Sequence, residues 1–155
     1  MEGYRIAEGG VSDPRVIALV EHHSGSAREA TPGGASHSFA IDRLRSPDIR
    51  FFAAWSGDDV VGIGALKTLS AEAGEIKSMH TADRARGHGI GGAMLAHIEQ
   101  AARGSGMKRL SLETHPGEHF AAAVALYKKH GFVDCPPFGD YHASPASLFM
   151  TKDIS

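Results

Sequence analysis

Four glycines in six residues, Gly87-His88-Gly89-Ile90-Gly91-Gly92, constrain this chain more than any other feature. The segment before them alternates every two residues, and the one after repeats its apolar positions every three to four. The chain therefore passes from strand to helix there with few side chains in the way. The first N–H groups of a helix have no partner inside it and carry the positive end of its dipole. Glycines let a ligand come close to that backbone, which makes the turn a ready phosphate site. Arg84 and Arg86, just upstream, add charge-assisted donors for phosphate oxygens.

Three readings of this turn compete. A P-loop is excluded, because Gly-x-x-x-x-Gly-Lys-Ser/Thr is absent. Gly87-x-Gly89-x-x-Gly92 matches the dinucleotide fingerprint, with an acid, Glu113, about 20 residues on. Its context differs, however: Asp83-Arg84-Ala85-Arg86 separates the strand from the first glycine, and too little chain follows for a second half. The third reading is a helix start that binds nothing. The coincidence of strand, two arginines and a clean helix weighs against it.

Patterning supplies the surrounding elements. Residues 3–7 read as a short strand. Ser12-Asp13-Pro14 opens a helix with a capping side chain and a proline in the first turn, and its apolar stripe (Val16, Ile17, Leu19, Val20) fades at Gly25. Residues 24–38 read as a long loop. Residues 50–56 and 60–69 form a hairpin about Gly57-Asp58-Asp59, and 75–81 is a third strand. Two-residue periodicity puts Glu75, Lys77, Met79 and Thr81 on one face, with His80 on the other. Ile90, Met94, Ile98 and Ala101 mark a helix that ends at Gly104 and Gly106. Residues 108–114 are a strand. Phe120, Val124 and Tyr127 mark a last helix, capped by Gly131. Phe132-Val133 and 147–151 close the sheet. The order β-α-loop-β-β-β-α-β-α-β-β predicts an α+β fold, a mostly antiparallel sheet flanked by helices.

With 155 residues, 42% of them hydrophobic and 22% charged, the chain is expected to be one domain, 1–155, with an ordinary core. Sixteen basic against eighteen acidic residues give a net charge of -2, which argues against nucleic acid or an anionic membrane as partner. No apolar run reaches the ~18–20 residues of a membrane span, and the N-terminus lacks the pattern of a signal peptide. Cys135 is the one cysteine, so no intrachain disulfide forms. These features fit a reducing cytoplasm. Cys135 stands in an apolar stretch and reads as an inert thiol.

Ten histidines raise the question of a metal. His22 and His23 are adjacent and point apart on a helix. His115 and His119 are four apart, but Pro116-Gly117 interrupts any helix between them. There is no His-Glu-x-x-His. A catalytic zinc needs about three protein ligands, and no spacing in the sequence supplies them, so no metal site is predicted.

The segment Glu75–Leu95 resembles the acyl-CoA-binding motif of the GNAT superfamily of acetyl-CoA-dependent N-acetyltransferases. Its Gln/Arg-x-x-Gly-x-Gly/Ala signature can be read as Arg84-Ala85-Arg86-Gly87-His88-Gly89, or as Arg86-Gly87-His88-Gly89-Ile90-Gly91. A second segment, Leu126-Tyr127-Lys128-Lys129-His130-Gly131-Phe132, is similar to the family's Leu-Tyr-x-x-x-Gly-Phe. The element order agrees as well, so the resemblance covers essentially the whole chain. Within the superfamily, the tail Pro137-Phe138-Gly139-Asp140-Tyr141 through Ser147-Leu148-Phe149-Met150-Thr151 resembles a group of small bacterial N-acetyltransferases of mostly unassigned substrate.

The resemblance implies an acetyl-CoA-dependent enzyme that acetylates the primary amine of a small molecule and releases CoA. It implies that the amides from Arg86 to Gly92 (through Gly87, His88, Gly89, Ile90 and Gly91) hold the diphosphate, with Arg84 beside them. The pantetheine arm would pair with the main chain of Met79 and Thr81, flanking His80, and an N–H near Met79 would bond the thioester oxygen. Tyr127 matches the family's general acid. Glu75 stands where some members place a catalytic glutamate, and ordered water is the alternative base; His80 and Glu113 are others. Ser36 and His37, in the long loop, and Tyr141 and His142, near the closing strands, are candidates for contacts with the acceptor. A homodimer is common in the superfamily. A non-catalytic, CoA-binding regulatory domain is the competing function.

Overall fold

The computed structural model describes residues 3–30 and 42–155. In chain order the elements are β1 (Tyr4–Glu8), α1 (Pro14–Ala30), β2 (Ile49–Ser56), β3 (Asp59–Thr68), β4 (Ala73–Thr81), α2 (Ile90–Gly104), β5 (Arg109–Thr114), α3 (Ala121–Lys129), β6 (Val133–Asp134) and β7 (Leu148–Asp153). The strands form one sheet in the order β1-β2-β3-β4-β5-β7-β6. Every neighbouring pair is antiparallel except β4 and β5. This is the expected α+β arrangement.

Helix α1 starts as its sequence dictates. Asp13 Oδ1 accepts the N–H of Arg15 at 2.9 Å, with Pro14 in the first turn. The helix does not fade at Gly25 but runs to Ala30. One glycine costs a helix only about 1 kcal/mol.

The middle of the sheet is built to receive α2. A Cβ on Gly62 would lie 2.9 Å from Ile90 Cγ2, and one on Gly64 would lie 2.9 Å from both Ile98 and Met94. These two glycines of β3 let the helix lie against the strand, and Ile90, Met94 and Ile98 are buried there. At its far end α2 closes with Gly106 at φ 85, where Gly106 N–H bonds Arg103 and Met107 N–H bonds Ala102. That is a Schellman cap.

Two irregularities of β4 shape the rest. First, Ile63 pairs with His80 and Ala65 with Lys77, so Gly64 faces two residues, Ser78 and Met79. This is a β-bulge, and within it Ser78 takes a left-handed φ of 56. The extra residue reverses the alternation. Glu75 and Lys77 share a face as expected, but His80 joins them and Thr81 crosses to the α2 side, beside Gly91. The sequence expectation for His80 and Thr81 was the reverse. Second, the parallel ladder between β4 and β5 pairs Ala73–Ile76 with Arg109–Leu112 and ends there among the described residues. Beyond Ile76 the two strands separate, and one edge of the β4 backbone faces a gap.

Candidate active site

The gap opens into a cleft of about 610 Å³, within the ~300–1,000 Å³ typical of cofactor and small-molecule sites. Its floor is Met79, His80 and Thr81; one wall is the turn from Asp83 to Gly92, and the other is α3 with Tyr127. The sequence thus brings most of its candidate cofactor residues to one place: Met79, His80, Thr81, Arg86, Gly87, Gly89, Ile90, Gly91 and Gly92 all line it.

The glycines act in two ways. Gly87 and Gly89 have φ of 82 and 78, and a Cβ on either would meet nothing within 4 Å. Backbone conformation and open space, not crowding, are what glycine provides there. Gly89 is the N-cap of α2 and supplies no side-chain cap. The first-turn N–H groups of α2 therefore have no capping side chain, and their residues, Ile90, Gly91 and Gly92, line the cleft. Gly91 and Gly92 instead permit close packing: a Cβ would lie 3.1 Å from Leu126 and 3.2 Å from His130, respectively.

The two arginines differ. Arg86 lines the cleft and pairs with exposed Asp83 at 3.0 Å, where water screens the pair. Arg84 turns the other way and donates to the carbonyl of Val60 at 2.9 Å, in a separate depression beside α1. It braces the turn against β3 and does not line the cleft. His88 is exposed and does not line it either.

Tyr127 owes its position to the end of α3. Phe132 N–H bonds the Tyr127 carbonyl at 3.0 Å, Gly131 N–H bonds that of Lys128 at 3.1 Å, and Gly131 has φ 93. This Schellman cap sets the Phe132 ring edge-on to Tyr127, with centroids 5.9 Å apart. The Tyr-x-x-x-Gly-Phe spacing is thus the spacing of a helix cap that locks the tyrosine ring. Tyr127 is 7% exposed, and burial pushes its phenol up to about 12.

Glu75 does not line the cleft. It is 2% exposed; its Oε2 accepts from the Tyr141 hydroxyl at 2.6 Å and from Lys77 Nζ at 3.4 Å. Lys77 Nζ also reaches the Tyr141 hydroxyl at 3.2 Å. Tyr141 is held between the rings of Phe138 and Phe149. Its phenol is raised first by burial and then by donation to Glu75. Tyr141 thus serves the carboxylate. Glu113 accepts from Ser147 Oγ at 2.7 Å. His142 is exposed. Burial raises the Cys135 thiol, as suits an unreactive residue. Ser36 and His37 lie outside the described residues.

The sequence reading placed Tyr127 of α3 at the site but missed the contribution of α1 and of the rest of α3 to the cleft. His22 lines it from α1, and Phe120, Ala122, Ala123 and Leu126 line it from the start of α3. The run Ala121-Ala122-Ala123 was the available signal, because small residues at a helix start leave room for a ligand.

A sheet split at its centre, with an uncapped glycine-rich helix start at the split, makes a cleft suited to an anionic ligand. Residues 17–132 match the Acetyltransferase (GNAT) family, and the chain belongs to that family. It is 40% identical over 151 residues to the uncharacterized N-acetyltransferase YedL of Escherichia coli, covering 97% of this chain and 95% of that one. It is 38% identical over 156 residues to the IAA acetyltransferase of Azospirillum brasilense, covering 99% and 100%. The structure of a Klebsiella pneumoniae protein described as a "putative acyl-CoA N-acyltransferase" superposes with a TM-score of 0.79 at 29% identity, covering 98% of each chain. The protein is an acyltransferase, and its acyl donor is acetyl-CoA. Among the described residues no helix is long and apolar enough to cross a membrane.

Proposed function

We propose that this acetyltransferase passes the acetyl group directly to the primary amine of a small molecule. The observation that carries the reading is the meeting, in one cleft, of uncapped donors at the start of α2 with the buried phenol of Tyr127. The amides from Gly87 to Gly92 hold the diphosphate, with the Arg86 guanidinium beside it, while the Arg86 N–H turns back to the Asp83 carbonyl at 3.4 Å. The edge of β4 beyond Ile76 receives the pantetheine arm as an added strand. The relative named IAA acetyltransferase supports a small acceptor.

Acetyl-CoA supplies an acetyl group activated as a thioester. The Met79 N–H donates to the carbonyl oxygen, and that hydrogen bond strengthens as negative charge collects there. The nitrogen–carbon bond forms, the carbon–sulfur bond breaks, and the nitrogen gives up one proton. Tyr127 donates to the departing sulfur. A phenol at about 12 stays protonated throughout the working pH range. Full transfer to an ordinary thiolate, whose conjugate acid sits near ~8.5, would be uphill by roughly 3–4 pH units, or about 5 kcal/mol. Tyr127 therefore stabilises the thiolate chiefly as a hydrogen-bond donor.

Glu75 accepts the amine proton through a water, since its 2% exposure keeps it from touching the acceptor. A second reading, in which water alone takes the proton, is favoured by the two donors already on Glu75 Oε2. A Glu75→Gln variant that retains the parent's turnover across pH would select the second. The function itself is tested by presenting acetyl-CoA with a panel of amines and following free thiol. Amine-dependent thiol release supports acetyl transfer. Saturable CoA binding without thiol release from any amine would leave a regulatory CoA-binding domain.

A further inference from the structure

The fold gathers a set of side chains that the transfer reaction does not use. His22 from α1, His80 from β4 and Asp83 from the following turn each offer one ligand atom, and all three atoms lie within 4.8 Å of one another. His22 Nε2 is 3.7 Å from Asp83 Oδ2. The two imidazoles meet edge to face, with centroids 5.7 Å apart. All three residues line the cleft.

We propose that this cluster is a binding site for a divalent transition-metal ion of the zinc class. Two imidazoles and a carboxylate are a donor set for zinc, which binds nitrogen at about 2.0–2.1 Å and carboxylate oxygen at about 2.0–2.2 Å. A tetrahedron with such bonds has edges of about 3.3 Å. The His22–Asp83 separation is already near that value. The remaining closure falls to His22 and Asp83, which are exposed and can change rotamer without disturbing the core. Asp83 is also oriented for the task. Its Oδ1 is paired with Arg86 at 3.0 Å, which leaves Oδ2 turned toward His22. Magnesium and calcium prefer all-oxygen shells and do not suit two imidazoles. Three protein ligands leave a further coordination position open to the cleft. The site depends on the β4 bulge, because without it His80 would face away from His22.

The test is calorimetric titration of the full chain, stripped with a chelator, with zinc alone, alongside cobalt followed by visible absorption. The expected result is one ion per chain and the absorption of four-coordinate cobalt. His22→Ala and Asp83→Asn should each weaken zinc at least about tenfold, while His142→Ala leaves it unchanged. The unfolding temperature of each variant without metal verifies that it is folded. Absence of saturable binding to the parent overturns the proposal. So does parent-like affinity in folded His22→Ala and Asp83→Asn, which would place the ion on other histidines.

Discussion

The Tyr141 hydroxyl donates to Glu75 Oε2 at 2.6 Å and joins two residues 66 positions apart. It ties the segment before β7 to the centre of the sheet, where Glu75 is otherwise reached by Lys77 at 3.4 Å. A hydrogen bond to a charged group contributes about 1.5–3 kcal/mol. Tyr141→Phe should therefore lose about that much stability in urea unfolding at pH 7. A variant as stable as the parent would mean that the pair contributes nothing net.

Gly89 combines a φ of 78 with open space for a side chain. A non-glycine residue held in that region costs roughly 1–2 kcal/mol, and its side chain would project where a ligand approaches the amides. Gly89→Val should fold and lose at least about tenfold in acetyl-CoA affinity by calorimetry, equivalent to about 1.4 kcal/mol. Unchanged affinity would remove this turn from the cofactor site.

The two arginines of the turn should separate cleanly. Arg86→Ala should weaken acetyl-CoA binding and reduce its salt dependence, because Arg86 lines the cleft. Arg84→Ala should leave binding intact and cost about 1 kcal/mol of stability, because Arg84 spends its guanidinium on the Val60 carbonyl. Equal losses of affinity in both variants would contradict this division.

Tyr127 gives a signature at alkaline pH. Its folded phenol sits at about 12 against 10.0 for the ordinary group. Between these values the unfolded chain has lost the proton and the folded chain keeps it, so stability falls as pH rises. The contribution is fully present below pH 10 and is lost by about pH 12, a change of order 2–3 kcal/mol. Urea midpoints at pH 9 and pH 11 should therefore fall less in Tyr127→Phe than in the parent. The same variant should turn over about 10²-fold more slowly while binding acetyl-CoA normally. A parent-like turnover would remove the phenol from the reaction.

Element order, the glycine turn and the Tyr127 segment were legible because each is written locally, in periodicity, positive-φ glycines and a helix cap. The faces of β4 were not. A bulge inserts one residue without changing residue types, so strict alternation carried His80 and Thr81 to the wrong sides. Arg84 and Arg86 look alike in sequence, and only the nearness of the Val60 carbonyl separates them. His80 and Asp83 stand three apart, but their meeting with His22 is not written in any spacing, since it brings a helix 58 residues away against a strand and a turn.

The account rests on the amides at the start of α2 holding acetyl-CoA in the split of the sheet. A crystal structure of the acetyl-CoA complex tests it most directly. The diphosphate oxygens should lie about 2.7–3.2 Å from amides of the Gly87–Gly92 turn, with the sulfur beside the Tyr127 hydroxyl. A diphosphate bound elsewhere, with those amides engaged by the protein's own side chains, would contradict it.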